Sequence, residues 1–286
     1  MSQTIKAVMF MSGAIVSFSA MAVAGRAISF ELDTFEIMMY RSIVGICVVL
    51  ILGRMFGTLG QITKRNLGTH FIRNISHFAG QNLWFYAITV VPLAQVFALE
   101  FTSPLWVLLL SPLLLNERWT QMRVLAGVMG FVGILIVTRP TGQSLNIGVI
   151  AAALSAIGFA GSAIFTKRLT RTETITCILF YLTVMQLAFG VICAGYDGDI
   201  AMPSLDTLPW LVLIGFAGLL AHFCLTTALS LAPATVVMPV DFIRLPVIAM
   251  VGMLVYAEAI DMWVFIGAAI IFTGNYMNIW SETRKA

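Results

Sequence analysis

The sequence has few charged residues, few histidines and no paired cysteines. Only 10% of its 286 residues are Asp, Glu, Lys or Arg, and 60% are hydrophobic. A soluble domain has roughly 25% charged residues, so a soluble globular protein is excluded. The four cysteines lie within apolar runs and form no CxxC pair, so neither a disulfide framework nor a metal site is expected. No GxxxxGK[ST] loop is present, which argues against direct use of ATP. We expect no cofactor and no nucleic-acid partner.

Apolar runs of about 20 residues recur along the chain, which is typical of a polytopic membrane protein embedded in a lipid bilayer. They predict an all-α fold of ten transmembrane helices joined by short connections. We number them spans 1 to 10: 5–24, 35–53, 71–90, 94–114, 121–138, 146–165, 174–194, 208–230, 235–256 and 262–281.

Basic residues are distributed very unevenly between the two ends of these spans. If the N-terminus is cytoplasmic, the inner segments hold twelve Lys and Arg residues and the outer loops hold only Arg26 and Arg139. The inner set is Lys6, Arg54, Lys64, Arg65, Arg73, Arg118, Arg123, Lys167, Arg168, Arg171, Arg284 and Lys285. Cytoplasmic loops of membrane proteins carry such an excess. The sequence therefore predicts a multi-pass protein of the cell inner membrane with both termini in the cytoplasm.

The chain also contains an internal repeat at an offset of 141 residues. The shift superposes Tyr40 on Tyr181, Ala87 on Ala228, Pro92 on Pro233, Phe101 on Phe242, Glu117 on Glu258, Phe131 on Phe272 and Gly133 on Gly274. It also aligns Glu100 with Asp241. We expect two repeats, 1–141 and 142–286, with five spans each. Because five is odd, the second repeat enters the membrane from the opposite side. This five-plus-five inverted-topology repeat is common in secondary transporters, which bind substrate near the midplane between the halves.

Four charged residues lie well inside the spans: Arg41, Glu100, Asp241 and Arg244. Each costs about 2.5–3.5 kcal/mol at a helix centre on insertion scales, so each should be paired or face a wet cavity. Asp241 and Arg244 are three residues apart and share a helix face. They are either a self-neutralising structural pair or part of a charged cavity wall. Prolines at 239 and 246, and at 104 and 112 in span 4, favour the cavity, because broken backbone at membrane depth is tolerated there.

Span 3 carries a polar stripe on an otherwise apolar helix. Asn74, His77 and Gln81 recur at helical spacing, and Trp84 extends the same face. In span 8, His222 aligns with Gln81 under the 141-residue shift. Each histidine alone is compatible with a hydrogen bond between helices. The whole stripe favours a ligand with a flat or apolar body and several hydrogen-bonding groups.

Two further sets of residues are interpreted as structural. Glycines in span 5 (Gly127, Gly130, Gly133) and in span 10 (Gly267, Gly274) allow close helix contact, which we assign to packing within the chain rather than to a dimer interface. Glu117 and Glu258 end spans 4 and 9 at corresponding points. We expect them to bond free backbone groups of a neighbouring helix. A homodimer remains compatible with the sequence.

Taken together, these features resemble the drug/metabolite transporter superfamily, and the two halves resemble EamA-type repeats. The resemblance rests on ten helices, the inverted repeat, "VVPLAQ" after span 3 matched by "LAPATV" after span 8, and the "NE" or "AE" ending of spans 4 and 9. It implies a central cavity lined mainly by spans 1, 3, 4, 6, 8 and 9. It also implies small organic substrates such as amino acids, S-adenosylmethionine, riboflavin or nucleotide sugars, moved by proton coupling or by exchange.

The leading hypothesis is an inner-membrane secondary transporter, not an enzyme, for a small polar or amphipathic metabolite. The candidate substrate-binding residues are Arg244, Asp241, Glu100, Gln81, Asn74, Trp84 and Arg41. The candidates for proton coupling are Asp241, Glu100, His77 and His222, since a histidine changes its charge near neutral pH. The alternative is a membrane enzyme acting on lipid or acyl substrates. It needs clustered catalytic or metal-binding residues, and the sequence spacing indicates none.

Overall fold

The computed structural model describes residues 3–115, 121–139, 146–196, 198–231, 240 and 243–283. Within these ranges the chain forms eleven α-helices, one short 3-10 helix and no strand. The helices are α1 (Gln3–Ile28), α2 (Thr34–Met55), α3 (Leu67–Val90), α4 (Leu93–Glu100), α5 (Ser103–Leu115), α6 (Gln121–Thr138), α7 (Ile147–Leu169), α8 (Ile175–Ala194), α9 (Leu208–Leu231), α10 (Arg244–Tyr256) and α11 (Met262–Thr283). The 3-10 helix, Leu59–Gln61, lies between α2 and α3.

The ten predicted spans correspond to these helices, with span 4 divided into α4 and α5. The division falls at Phe101 and Thr102, just before Pro104. Proline lacks an amide hydrogen and cannot donate to the carbonyl of Glu100 four residues earlier. The break predicted for span 4 is therefore confirmed. For span 9 only Val240 and the residues from 243 onward are described, and α10 begins at Arg244.

Five helices in the described residues are long and apolar enough to cross a membrane by themselves. They are Ile5–Ile28, Thr34–Met55, Ile147–Thr166, Ile175–Ala194 and Leu208–Leu225. The shorter apolar helices are the α4 to α5 segment, α6 and α10. Helix α3 is long enough to span as well, with 24 residues, but its hydropathy is reduced by the polar stripe. That stripe is buried, which is where polar groups at membrane depth belong.

The most extensive helix contacts form between the two repeats and map onto one another when the repeats are exchanged. Helix α1 packs most extensively on α9, and helix α3 packs most extensively on α7. Under the repeat, α1 corresponds to α7 and α3 to α9, so these two contacts are equivalent. The other extensive contacts, α2 with α8 and α6 with α11, each join a helix to its own counterpart. The two halves are therefore interlocked around a pseudo-two-fold axis, as an inverted repeat requires.

Glycines bring two of these helix pairs into backbone contact. A Cβ added to Gly158 on α7 would lie 2.6 Å from the Cα atom of Gly80 on α3. Similarly, a Cβ on Gly133 of α6 would lie 2.8 Å from the carbonyl oxygen of Gly267 on α11. Small residues let membrane helices approach this closely. The intramolecular role predicted for the glycines of spans 5 and 10 is confirmed for this pair.

Side-chain bonds at one end of the bundle tie α2 to the loop before α9. Asp33 and Glu36 form a capping box, in which each side chain accepts from the other residue's backbone amide, at 2.8 and 2.9 Å. The second oxygen of Glu36 accepts from the amide of Ala201 at 2.6 Å. One carboxylate thus starts a helix of the first repeat and holds a loop of the second.

Candidate functional site

The most prominent polar contact between the repeats joins Glu100 to Arg244. Arg244 Nη2 lies 3.0 Å from Glu100 Oε1, and both side chains are largely buried, at 5% and 15% exposure. Trp84 of α3 donates its indole N–H to the other carboxylate oxygen, Oε2, at 2.8 Å. Glu100 ends α4 and Arg244 begins α10, so the bond connects these two helix ends.

Aromatic rings surround the Arg244 guanidinium. Its central carbon lies 4.9 Å from the ring centre of Phe18, 5.1 Å from that of Phe97 and 5.1 Å from that of Phe101. Cations at this distance are attracted to the faces of aromatic rings. Among the described residues, one carboxylate and three rings therefore stabilise the Arg244 guanidinium.

The helix break between α4 and α5 shapes this region. The carbonyl oxygen of Phe101 accepts a bond from Asn275 Nδ2 on α11 at 3.0 Å. The Thr102 hydroxyl donates to the carbonyl of Leu99 at 2.7 Å. Backbone groups freed by the break are thus bonded within the protein, which allows irregular backbone at membrane depth. The break directs the end of α4 towards α10.

The predicted polar stripe of α3 lies in the interior, but its members differ in their contacts. Asn74 is a helix-to-helix bridge: its side chain contacts Arg73 at 2.8 Å and donates to the Tyr181 carbonyl of α8 at 3.3 Å. His77 and Gln81 are buried, and neither ring nitrogen of His77 nor the Gln81 amide nitrogen has a hydrogen-bond partner among the described residues.

His222 and Arg41 continue the polar region towards α2 and α9. The rings of His77 and His222 lie 5.6 Å apart, and Phe18 contacts His222 at 5.9 Å. A small cleft between α2, α8 and α9 is lined in part by Arg41, Gln186 and His222. Since Phe18 contacts both His222 and Arg244, the cleft and the Glu100–Arg244 pair are two parts of one central region.

The structure adds one contact of Arg244 and leaves another predicted site residue outside its range. Arg244 bonds Glu100 of the opposite repeat. Asp241, which was predicted to pair with Arg244 or to bind substrate, lies outside the described residues. The roles assigned to Glu100, His77 and His222 in proton transfer stay predictions.

Two residues of this region were not identified from the sequence. Arg73 was counted as an inner-segment charge, yet it is buried at 4% exposure, bonding Thr166 Oγ1 at 3.1 Å and Asn74 Oδ1. The sequence signal for its burial was its position as the seventh residue of α3. Phe18 looked like any other apolar residue of span 1, and no sequence feature distinguished it.

A second bond between the repeats involves Arg26 and Glu258. Arg26 forms a salt bridge with Glu258 and donates to the carbonyl of Val91 at 2.6 Å. The other oxygen of Glu258 accepts from the Leu93 amide, the first of α4, at 2.9 Å. The structural role predicted for Glu258, bonding a free backbone group of a neighbouring helix, is confirmed. Glu117, its counterpart, lies outside the described residues.

One group of side chains has the composition of a metal site, although the sequence spacing indicated none. The ligand atoms of His70, Glu173 and Cys177 lie within 4.8 Å of one another. The Glu173 carboxylate is already bonded by Thr63 Oγ1 at 2.8 Å and Asn66 Nδ2 at 2.6 Å. Burial alone would raise the pKa of Glu173, but these hydrogen bonds outweigh it and lower the pKa. The group ties the segment before α3 to the turn before α8.

Comparison with known proteins agrees with this architecture. The sequence profile of the EamA-like transporter family matches the chain twice, at residues 5–139 and 146–280, which are offset by 141 residues. The chain belongs to the EamA-like transporter family. It is 34% identical over 210 residues to a riboflavin transporter of Brucella anthropi, covering 72% of this chain and 74% of the relative. It is also 27% identical over 270 residues to an S-adenosylmethionine uptake transporter of Rickettsia bellii, covering 94% and 92%.

A solved crystal structure shares the fold. It has a TM-score of 0.65 and 19% sequence identity, and the match covers 97% of this chain and 98% of that one. As in other members of the EamA-like family, the chain is therefore a multi-pass membrane protein built from two repeats, and the bond from Glu100 to Arg244 joins one repeat to the other.

Proposed function

We propose that this protein is an alternating-access secondary transporter that moves a small organic metabolite across the cell inner membrane. The observation that carries the proposal is the buried bond from Glu100 to Arg244, which joins the two repeats beside the break in span 4. Charged residues and broken helices at membrane depth are typical of substrate and ion pathways. The named relatives, which transport riboflavin and S-adenosylmethionine, support a metabolite with a flat ring system.

The chain provides the parts that such a substrate needs. Phe18 and Trp84 supply aromatic surface, and the unpartnered polar groups of His77 and Gln81 supply hydrogen bonds. Glu100 holds Arg244 and Trp84 together, so a substrate group that binds either one competes with the carboxylate. Binding then loosens the connection between the repeats, which is what a change of access requires.

The orientation follows from the distribution of basic residues, with both termini in the cytoplasm. In this orientation the Arg26–Glu258 salt bridge lies on the outer side, where it closes the contact between the ends of α3 and α10. Opening to the outside breaks that salt bridge. Proton coupling through Glu100, with His77 and His222 assisting, and substrate exchange are both compatible with this mechanism. A homodimer is not needed for it.

The proposal is tested by counterflow in proteoliposomes that contain the purified chain. Vesicles are loaded with unlabelled riboflavin or S-adenosylmethionine, and accumulation of the labelled compound is followed. We expect saturable accumulation with one of these compounds, and its loss in Trp84→Phe, which removes the donor to Glu100. Phe131→Leu is the matched control, because Phe131 is 63% exposed on α6 and lies away from this region. Flux equal to that of protein-free vesicles for both compounds would contradict the assignment of these substrates.

A further inference from the structure

Two buried arginines in the central region have no acidic partner among the described residues. Arg41 is 8% exposed, and its guanidinium lies 3.7 Å from Met38 Sδ and 6.0 Å from the centre of the Phe85 ring. Within the same part of the chain, Arg73 donates to neutral oxygens, those of Thr166 and Asn74. No carboxylate of the described residues forms a salt bridge with either arginine. Arg244, by contrast, is matched by Glu100.

Two histidines complete what we call the basic cluster, defined as Arg41, Arg73, His77 and His222. Arg73 and His77 are four residues apart on α3, the rings of His77 and His222 lie 5.6 Å apart, and Arg41 and His222 line the same cleft. The cluster draws on α2 and α3 of the first repeat and on α9 of the second. It therefore lies between the two halves, where an inverted-repeat transporter binds its substrate.

Several buried polar groups near this cluster have no hydrogen-bond partner among the described residues. They are the Gln81 amide nitrogen, both ring nitrogens of His77, which is 2% exposed, and the side-chain oxygen of Gln186. Arg41, Gln186 and His222 line one narrow cleft, which joins the α2 and α9 members of the cluster. Buried cations without a carboxylate partner are stabilised by a ligand that supplies negative charge.

Uncompensated buried charge is among the most costly features in a protein interior. A protein that keeps two such arginines in a membrane core gains from them only when a counter-charge arrives. We propose that the basic cluster binds an anionic group, a carboxylate or a phosphate, of the transported metabolite. The inference rests on the proposed transport function and adds the charge class of the substrate. The remainder of the metabolite then lies beside Phe18, which separates the cluster from Arg244.

The test uses matched pairs of ligands that differ only in the anionic group. Riboflavin 5′-phosphate is compared with riboflavin, and S-adenosylmethionine with its carboxamide, by equilibrium binding to the purified full chain in nanodiscs. In one pair, we expect the compound that carries the phosphate or the carboxylate to bind at least about tenfold tighter, and the difference to vanish in Arg41→Gln and Arg73→Gln. The pair that responds identifies phosphate or carboxylate as the source. Arg41→Lys retains the charge and should retain part of the difference.

A second measurement needs no metabolite. The thermal midpoint of the protein is recorded with inorganic phosphate and with acetate at constant ionic strength. Both anions should raise the midpoint of the unaltered protein more than that of Arg41→Gln. In their absence, Arg41→Gln should be at least as stable as the unaltered protein, because it removes a buried charge that has no partner. Arg65→Gln removes the same charge from an exposed position and serves as control.

The outcomes separate this inference from the transport proposal. Equal binding of the two compounds in each pair would overturn the anion site while leaving transport in place. A preference for the phosphate or carboxylate that persists in both arginine variants would do the same. A failure of riboflavin and S-adenosylmethionine to be transported, together with anion stabilisation that depends on Arg41, would retain the site. If no probe, phosphate and acetate included, stabilises the protein through Arg41, or if Arg41→Gln alone lowers the midpoint, the cluster is structural.

Discussion

Replacing Glu100 with glutamine tests the bond between the repeats most directly. The substitution keeps the shape of the side chain and an acceptor for the Trp84 indole, but it removes the negative charge facing Arg244. Loss of one member of a buried ion pair costs roughly 3–5 kcal/mol. The neutral amide oxygen still accepts from Arg244, which recovers about 1 kcal/mol. We therefore expect Glu100→Gln to lower the free energy of unfolding by about 2–4 kcal/mol.

The assay is thermal unfolding of the purified protein, followed by tryptophan fluorescence. At about 2 °C per kcal/mol, the expected loss lowers the midpoint by at least about 4 °C. Adding Arg244→Met to Glu100→Gln removes the cation that faces the neutral glutamine and should restore most of the stability. Asp261→Asn is the matched control, because the Arg139–Asp261 salt bridge is half exposed and such pairs contribute only about 0–1 kcal/mol.

Three results would refute this reasoning. The thermal midpoint of Glu100→Gln could equal that of the unaltered protein, or it could fall no further than that of Asp261→Asn. In the double variant, the two losses of stability could add instead of cancelling. Each would mean that the buried charges are compensated by something other than each other.

Three further predictions concern the fold and the loops. Gly158→Ala should lower stability by about 1–3 kcal/mol, because the added methyl group would lie 2.6 Å from Gly80 Cα and force α3 and α7 apart. Gly57→Ala should cost about 1–2 kcal/mol although the space around it is open, because Gly57 has a φ of 67°. Hydrogen bonds from the Thr207 hydroxyl and the Ser204 amide lower the pKa of Glu31 below its ordinary 4.5, so its stabilisation is present above 4.5 and lost as the pH falls through the lowered pKa. Thr207→Val should shrink that acid-dependent loss in a series of thermal midpoints from about pH 7 to pH 3.

Controls distinguish these effects from general sensitivity to substitution. Gly161→Ala meets only the flexible side chain of Ser76, at 3.2 Å, and should cost less than Gly158→Ala. Gly68→Ala lies in helical backbone with open space around it and should be neutral or stabilising. If Gly57→Ala behaved like Gly68→Ala, backbone strain would not be the cause. A Thr207→Val protein with an unchanged acid profile would remove Glu31 from the pH dependence.

The helices were predictable because each must satisfy its backbone bonds internally and present an apolar surface to lipid. Span 5 begins and ends as predicted, at 121 and 138, and the break after Glu100 followed from Pro104. Contacts between the halves were not predictable in the same way. The spacing of Asp241 and Arg244 reports only neighbours on one helix, whereas Glu100, which bonds Arg244, is 144 residues away.

Arg73 illustrates a different limit. A basic residue near the start of a span is usually an interfacial anchor, and counting it as one supported the orientation. Whether its side chain reaches water or the interior depends on helix tilt and on the neighbours. Here the approach of α7 places Thr166 beside Arg73, and the residue is buried. The burial of Arg73 depends on packing between the repeats, which its neighbours in the sequence do not reveal.

The Glu100–Arg244 pair has a consequence that arises from helix direction. Glu100 is the last residue of α4, where the helix dipole is negative, and Arg244 is the first residue of α10, where it is positive. Each charge is thus repelled by its own helix end, by about 0.3–1 kcal/mol or more, and is stabilised by the other residue. If α4 and α10 separate, both repulsions remain while the attraction fades. Separating α4 from α10 is therefore opposed by the loss of the ion pair and also by the two unfavourable helix ends that the pair offsets.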